Sequence, residues 1–179
     1  MVHAEDDKIV EMLRNGATLE QGFRLLMHKY QEKVYWHIRR MVESHEDTDD
    51  VLQNTFIKAY RGFDNFEGRS SLFTWLYRIA TNEALTHLKN KKNKSTLVLE
   101  DFHTGNESAL DHDFDEDKAL QKLAIALEGL PEKQRIVFNM RYYDEMSYQD
   151  MSQILDTSVG ALKASYHHAV KKIEAVLLA

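Results

Sequence analysis

The stretch from Ser147 to Lys172 restricts the fold of this 179-residue chain more than any other. Its apolar residues recur every three or four positions, pause over residues 156–158, and resume with the same spacing. That spacing is typical of an α-helix with one buried face, and the pause is short enough for a turn between two helices. Ser147, with Asp150 three residues later, and Ser158 stand where helix-capping serines are expected. The pattern predicts a helix-turn-helix.

The outer face predicted for the second of these helices is small or basic. Opposite the apolar stripe, it carries Gly160, Lys163, Ala164, His167 and Lys171. A helix with small side chains in its first turns can enter a DNA major groove about 12 Å wide and approach the base edges. An ordinary antiparallel helix pair with a solvated outer face would give the same periodicity. Periodicity alone leaves both interpretations open.

Composition favours helices throughout the chain. There is one proline, there are seven glycines, and 43% of the residues are hydrophobic, which permits a packed core. The absence of cysteine excludes disulfides, thiolate zinc sites and a cysteine nucleophile. The acidic N-terminus lacks the features of a signal peptide, and no apolar run approaches the length of a membrane span. We therefore expect a cytoplasmic protein without membrane insertion.

The net charge of −6 is concentrated in the middle of the chain. Residues 95–117 contain eight acidic residues and no basic one, whereas each flank is nearly neutral. This segment also lacks sustained apolar periodicity, which predicts a flexible acidic linker. The expected fold class is therefore all-α, with two small helical domains, residues 1–94 and 118–179, joined by that linker. The C-terminal domain contains the helix-turn-helix, supported by an apolar stripe that begins near Leu120.

Two helices are predicted in the middle of the first domain. Thr18 and Gln21 suggest a capping box for a long helix whose apolar stripe runs to Met41. Asp47 or Thr48 is expected to cap the next helix. Its outer face presents Asp49, Asp50, Gln53, Asn54 and Ile57. Acids there either stabilise the helix N-terminus or form a protein-docking surface, and composition does not distinguish the two.

An aromatic loop at residues 62–70 leads into a further helix. The loop contains Phe63 and Phe66, and the helix adds Trp75, Arg78 and Asn82 before it ends in lysines. Aromatic rings interleaved with basic and amide side chains can stack on unpaired bases and hold phosphates. The same rings could instead be buried in the core of the domain.

Three motifs together establish a resemblance to a known family. They are DVLQNTFIKAY at residues 50–60, FEGRSSLFTWLYRIATNEAL at residues 66–85, and LPEKQRIVFNMRYYDEMSYQDMSQIL at residues 130–155, followed by SVGALK. They occur in the order and spacing of a bacterial RNA polymerase sigma factor. The chain resembles the short extracytoplasmic-function group, which keeps two helical domains joined by a linker. The resemblance covers nearly everything from about Leu19 to Leu178.

The resemblance implies three functional surfaces. In the family, the first motif docks on core RNA polymerase, which implicates Asp50, Gln53, Asn54 and Ile57, although an acid is common at position 54. The loop and the helix after it open the minus-10 element, which implicates Phe66, Arg69, Ser71, Trp75, Arg78 and Asn82. The second helix of the helix-turn-helix reads the minus-35 element, which implicates Ser158, Gly160, Ala161, Lys163, Ala164, His167 and Lys171.

The expected function is that of a transcription initiation factor and not of an enzyme. The partners implied are core RNA polymerase, promoter DNA and an anti-sigma factor, with the chain a monomer when free or in a 1:1 complex. No cofactor, metal site or catalytic residue is expected, since the sequence has no phosphate-binding glycine loop, nucleophile elbow or HExxH motif. Two alternatives remain open: a stand-alone dimeric helix-turn-helix regulator, and a helical adaptor with no role in nucleic-acid binding.

Overall fold

The computed structural model describes residues 2–42, 44–98 and 115–178, and every regular element in these ranges is helical. A 3-10 turn at Phe63–Asn65 separates the third and fourth α-helices. The helices are α1 (Val2–Arg14), α2 (Leu19–Arg39), α3 (His45–Gly62), α4 (Leu72–Val98), α5 (Asp115–Glu128), α6 (Glu132–Tyr142), α7 (Tyr148–Leu155) and α8 (Val159–Leu177). The all-α fold class is confirmed. None of the helices in the described ranges is long and apolar enough to cross a membrane.

The chain divides into two compact units. The N-terminal unit comprises residues 1–90 and 153–156, and the C-terminal unit comprises residues 91–152 and 157–179. Helices α4 and α5 both extend into the predicted acidic linker, because α4 continues to Val98 and α5 begins at Asp115. The rest of that predicted linker, residues 99–114, lies outside the described residues.

Helix α1 packs closely on α2 because Gly22 has no side chain. A Cβ at Gly22 would lie 2.9 Å from the Cβ of Met12, which is closer than such atoms approach in folded proteins. Asp6 of α1 accepts a hydrogen bond from the Tyr30 hydroxyl at 2.8 Å, and Lys29 Nζ lies 2.9 Å from the same carboxylate. Burial, together with Asp6 as the acceptor, raises the pKa of Tyr30 far above its ordinary value. Close packing and a buried polar cluster therefore fix α1 to α2.

The core of the N-terminal unit is formed by buried side chains of α2, α3 and α4. In α2 the buried side chains include Leu26, Val34 and Ile38. Helix α3 contributes Val51, Thr55, Phe56 and Ala59, and α4 contributes Leu72, Leu76, Ala80 and Ala84. His37 is buried among them; its Nε2 lies 2.9 Å from the Thr81 hydroxyl, and its ring centroid lies 4.9 Å from that of Tyr77.

Two helix N-termini differ from the prediction. Thr18 precedes α2, but its hydroxyl donates to the carbonyl of Met12 at 2.9 Å, so no capping box forms with Gln21. Helix α3 is capped by Ser44, whose Oγ accepts the backbone N–H of Asp47 at 3.0 Å. The expected caps Asp47 and Thr48 thus lie inside the first turn of α3. Local sequence could not show that the turn after α1 brings the Met12 carbonyl to Thr18.

The core of the C-terminal unit joins α5, α6 and α8. Its buried residues are Ala126, Leu130, Phe138, Ala169 and Ile173, with Leu123, Leu127, Tyr166 and Val170 packed against them. Leu120, which was expected to support this core, is 64% exposed. Among the side chains of α5 that the structure describes, the first to pack on this core is Leu123, so the prediction for Leu120 is wrong.

The helix-turn-helix is formed by α7 and α8, as the sequence predicts. Ser147 Oγ accepts the backbone N–H of Asp150 at 3.1 Å and donates to the Asp150 carboxylate at 2.5 Å, which caps α7. Ser158 Oγ accepts the backbone N–H of Ala161 at 3.3 Å and caps α8. Between them, Asp156 adopts a left-handed backbone with φ 49°, a conformation that aspartate tolerates better than most residues.

Candidate nucleic-acid interface and docking groove

The residues expected to read duplex DNA comprise the N-cap of α8 and six positions along this helix, from Gly160 to Lys171. Ser158, Gly160, Ala161, Lys163, Ala164, His167 and Lys171 are all exposed. Buried Leu162, Ala169 and Ile173 hold the opposite side of α8. These residues are therefore accessible to solvent. The first turn of α8 carries side chains small enough for its backbone to approach a base edge.

The ring of Tyr148, at the start of α7, is close to two basic side chains that come from the neighbouring helices. Arg141 Cζ of α6 is 5.2 Å from the centre of the Tyr148 ring, and Lys163 Nζ of α8 is 5.7 Å from it. Arg141 also donates to the carbonyl of Met146 at 2.7 Å. Sequence periodicity did not predict that Arg141 and Lys163 approach the ring of Tyr148, because this proximity depends on how three helices pack.

The aromatic residues around the loop at residues 63–71 pack against one another. The ring centroids of Phe63 and Phe66 are 5.6 Å apart, and those of Phe66 and Trp75 are 5.3 Å apart. Phe63 and Phe66 are buried, and Trp75 is half-buried. The structure thus favours the core interpretation of these rings. Phe66 packs against both other rings beneath the loop, and its contact with a base stays a prediction.

Ser71 and Arg69 also have partners within this region. Ser71 Oγ accepts the backbone N–H of Thr74 at 3.0 Å, so this predicted DNA-contacting residue caps α4. Arg69 is 86% exposed, and its Nε lies 2.5 Å from a carboxylate oxygen of Glu67. Arg69 therefore remains accessible to a phosphate, in competition with one exposed neighbouring acid.

A polar strip runs along the exposed side of α4 beside the loop. Arg78 and Asn82 are exposed, one turn of helix apart, and Lys89 continues the strip towards the lysines at the end of α4. Arg14, at the end of α1, adds a basic group on the other side: its Nη2 would lie 3.8 Å from a Cβ at Gly68. Gly68 itself has φ 72°, a conformation that favours glycine. The motif-based prediction missed Arg14 because α1 lies outside the motif.

An open apolar groove of about 600 Å³ lies between α2 and α3. Phe23 and Met27 line it from α2, and Leu52, Phe56 and Tyr60 line it from α3. Of the predicted polymerase contacts, Gln53 and Ile57 line this groove, while Asp50 and Asn54 are exposed but are not part of its lining. Ile57 is 39% exposed and Tyr60 is 48% exposed, which is a high fraction for large apolar side chains.

In the described part of the chain, no group of three or more histidine, aspartate or glutamate side chains is arranged to hold a metal ion.

Comparison with known proteins gives two matches to family models. The model for sigma-70 region 2 matches residues 26–94, and the model for sigma-70 region 4 matches residues 120–173. The first range includes α3, the loop and the polar strip of α4, and the second includes the helix-turn-helix.

Two similar proteins can be aligned with almost the whole chain. The RNA polymerase sigma-H factor of Pseudomonas aeruginosa is 32% identical, with 99% of this chain and 96% of that protein covered. The ECF RNA polymerase sigma-E factor of Escherichia coli is also 32% identical, with 94% and 92% covered.

Two solved structures share the fold. One is CnrH in complex with the cytosolic domain of CnrY, with a TM-score of 0.71 and 20% identity over 97% of both chains. The other is the sigma factor RpoE in complex with the anti-sigma factor NepR from Bartonella quintana, with a TM-score of 0.68 and 22% identity over 87% of this chain and 96% of that one.

Proposed function

Since this chain belongs to the extracytoplasmic-function group of the sigma-70 family and directs RNA polymerase, we propose that it selects promoters through two separate DNA surfaces. One surface reads a minus-35 element as duplex, and the other melts the minus-10 element. Sigma factors are transcription initiation factors and not catalytic enzymes. The proposed site of action is the cytoplasm, where bacterial polymerase works. The observation that carries the proposal is the exposed, small and basic face of α8.

The proposed minus-35 surface is the exposed face from Ser158 to Lys171. The small residues Gly160, Ala161 and Ala164 allow α8 to lie deep in the major groove, while Lys163 and Lys171 reach phosphates. His167 lies between them on the same exposed face. Because this surface has few cations, its salt-dependent affinity for DNA is small, and polymerase must contribute much of the binding free energy.

The proposed minus-10 surface consists of the loop at residues 63–71 and the exposed strip of α4. Arg69, Arg78 and Asn82 would contact the separated strand, with Arg14 as an added phosphate contact beside Gly68. Phe66 and Ser71 have structural roles here, as the support of the loop and the cap of α4. Trp75 is half-buried and offers only part of its ring to a base. Unstacking a base costs a few kcal/mol, which these contacts must offset.

The proposed polymerase-docking surface is the outer face of α3 together with the groove beside it. Gln53 and Ile57 belong to both, and Asp50 and Asn54 extend the polar edge. A partner side chain seated in the groove would bury Ile57 and Tyr60, and the surrounding polar groups would set its orientation. In this proposal the domain of residues 1–94 binds polymerase and opens DNA, and residues 118–179 bind the minus-35 duplex. The acidic segment 95–117 connects them.

We further propose that an anti-sigma factor holds this chain inactive. The support comes from the two solved structures of similar fold, one of which contains the anti-sigma factor NepR and the other the cytosolic domain of CnrY. An inhibitor that covered the α2–α3 groove would compete directly with polymerase.

The test is open-complex formation by purified chain, core polymerase and a promoter fragment from its own genome. We expect permanganate to modify unpaired thymines near minus-10 only when both proteins are present. A matched pair of variants separates the surfaces: Arg78→Ala should reduce permanganate reactivity while promoter retention persists, and Lys171→Ala should weaken retention itself. Tight, palindromic DNA binding by the chain without polymerase would contradict the proposal and favour a dimeric regulator.

A further inference from the structure

The ring of Tyr148 connects three helices of the C-terminal unit. Tyr148 is the first residue of α7, and its ring receives Arg141 from α6 at 5.2 Å and Lys163 from α8 at 5.7 Å. Both distances fall within the range at which a cation is attracted to the face of an aromatic ring, about 6 Å. Lys163 is exposed, whereas Tyr148 and Arg141 are each partly buried. The exposed side chain of the three is therefore the one on the proposed DNA surface.

The backbone around Tyr148 is held in place on both sides. Ser147 caps α7 through the N–H of Asp150, and Arg141 donates to the Met146 carbonyl in the turn before Ser147. Met146 is buried. The ring thus extends from a backbone that hydrogen bonds hold in place on both sides.

A free lysine side chain samples many rotamers, and part of that conformational entropy is lost when its ammonium binds one phosphate. Contact with a fixed ring removes some of that freedom before DNA arrives. The positive charges of Arg141 and Lys163 would ordinarily repel each other. The ring of Tyr148 attracts both charges and thereby offsets that repulsion. The arrangement therefore makes Lys163 ready to bind while it remains accessible.

We propose that Tyr148 is a positioning residue for promoter recognition: its ring holds Lys163 in the orientation in which α8 binds a DNA phosphate. The inference rests on the proposed function of α8, and it assigns to Tyr148 no contact with DNA of its own. An apolar residue without a ring would preserve the packing of α7 but release Lys163.

The experiment measures the affinity of the complex of this chain with core polymerase for a promoter duplex across a range of salt concentrations. Tyr148→Leu should weaken binding about two- to fivefold, the effect of an exposed cation–ring contact, with the salt slope unchanged. Tyr148→Phe keeps the ring and should bind like wild type. Lys163→Ala should reduce the salt slope by about one, and adding Tyr148→Leu to it should have no further effect.

A fluorinated series separates positioning from packing. Phenylalanine with one, two and three ring fluorines at position 148 retains nearly the same volume but progressively weakens the attraction of the ring for cations. We expect promoter affinity to fall stepwise with fluorine count while the melting temperature stays constant. Equal affinity across the series, or an unchanged effect of Tyr148→Leu in the Lys163→Ala background, overturns the inference. If wild-type chain with polymerase does not retain promoter DNA, the proposed function fails and the inference with it.

Discussion

Tyr30 is a residue whose protonation is coupled to folding. Burial, followed by its hydrogen bond to Asp6, raises its pKa above the ordinary value of 10.0. A raised pKa means that the folded chain favours the neutral phenol over the phenolate. The contribution of neutral Tyr30 to the free energy of unfolding is therefore complete below about pH 10 and is lost as pH rises beyond it. We expect the free energy of unfolding to decline above pH 10, and we expect Tyr30→Phe to lack this part of the decline. Denaturant titrations between pH 8 and pH 11 measure it.

The same substitution should also destabilise the chain at neutral pH. Tyr30→Phe removes the buried hydroxyl that donates to the Asp6 carboxylate, so that Lys29 is the partner left to this carboxylate among these contacts. We expect the free energy of unfolding to fall by about 1.5–3 kcal/mol. The matched control is Tyr35→Phe on the same helix, whose hydroxyl bonds His45 at an exposed site and whose loss should cost under about 0.5 kcal/mol. If both variants lose the same free energy of unfolding, the hydrogen bond from Tyr30 to Asp6 does not stabilise the fold more than an exposed one.

Phe66 gives a sharp test at the residue scale, because its two interpretations predict opposite results. As a supporting ring against Phe63 and Trp75, it should tolerate Phe66→Leu at a cost below about 1.5 kcal/mol, while Phe66→Ala should cost about 3 kcal/mol. Promoter opening by the leucine variant should remain close to wild type. Thermal unfolding and permanganate reactivity measure the two effects. A folded leucine variant that cannot open DNA would restore Phe66 as a base-stacking residue.

Among individual residues, side-chain pairs between distant positions were not predicted from the sequence. His37 and Thr81 are 44 positions apart and meet in the core, and Asp6 meets Tyr30 across 24 positions. Periodicity marks a position as facing inward, but it does not say which polar group will be there to receive a hydrogen bond. The pairing depends on the packing of helices and not on local pattern.

At the scale of the helix, local signals were sufficient for the helix-turn-helix. The helix-turn-helix follows from two apolar stripes, two serine caps and one aspartate in the turn, each acting within four residues of its partner. The cap of α2 failed because Thr18 bonds the carbonyl of Met12, which belongs to another helix. The cap of α3 failed by register, since Ser44, and not Asp47, begins it. Helix existence was predicted better than helix ends.

The cap of α3 can be tested directly. Ser44→Ala removes the acceptor for the Asp47 N–H and should lower the free energy of unfolding by about 1 kcal/mol. Ser44→Asp keeps an acceptor and adds a negative charge at the helix N-terminus, so it should restore most of the loss. Chemical denaturation of the two variants, followed by helical circular dichroism, makes the comparison. If the aspartate variant is as unstable as the alanine variant, the cap is not the source of the loss.

For the whole molecule, the α2–α3 groove determines what the chain can assemble with. Ile57→Asp places a charge in its apolar lining and should weaken binding to core polymerase by about 2 kcal/mol, roughly thirtyfold. Glu46→Gln, at an exposed position at the start of the same helix and outside the groove lining, is the matched control. Titration of labelled chain with core polymerase measures both affinities. Unchanged affinity for Ile57→Asp would move the docking surface away from the groove.

The division of the chain into two helical domains was more predictable than the surfaces of these domains. Charge division and helical stripes predicted two helical domains, because both are sums over many residues and single errors average out. The groove was missed because it depends on Phe23, Met27 and Tyr60, which lie on two helices and are not covered by a third helix in the part of the chain that the structure describes. An uncovered apolar position has the same sequence pattern as a buried one.

The aromatic support beneath the loop at residues 63–71 has an evolutionary consequence. Phe63, Phe66 and Trp75 hold the loop ends through contacts among themselves, so Asp64, Asn65, Glu67 and Arg69, which are exposed, can change without loss of the fold. Related proteins could therefore acquire new promoter preferences by exchanging these four side chains alone. A library randomised at the four positions should contain many folded members, and selection among them could yield initiation factors that act on distinct sets of genes in one cell.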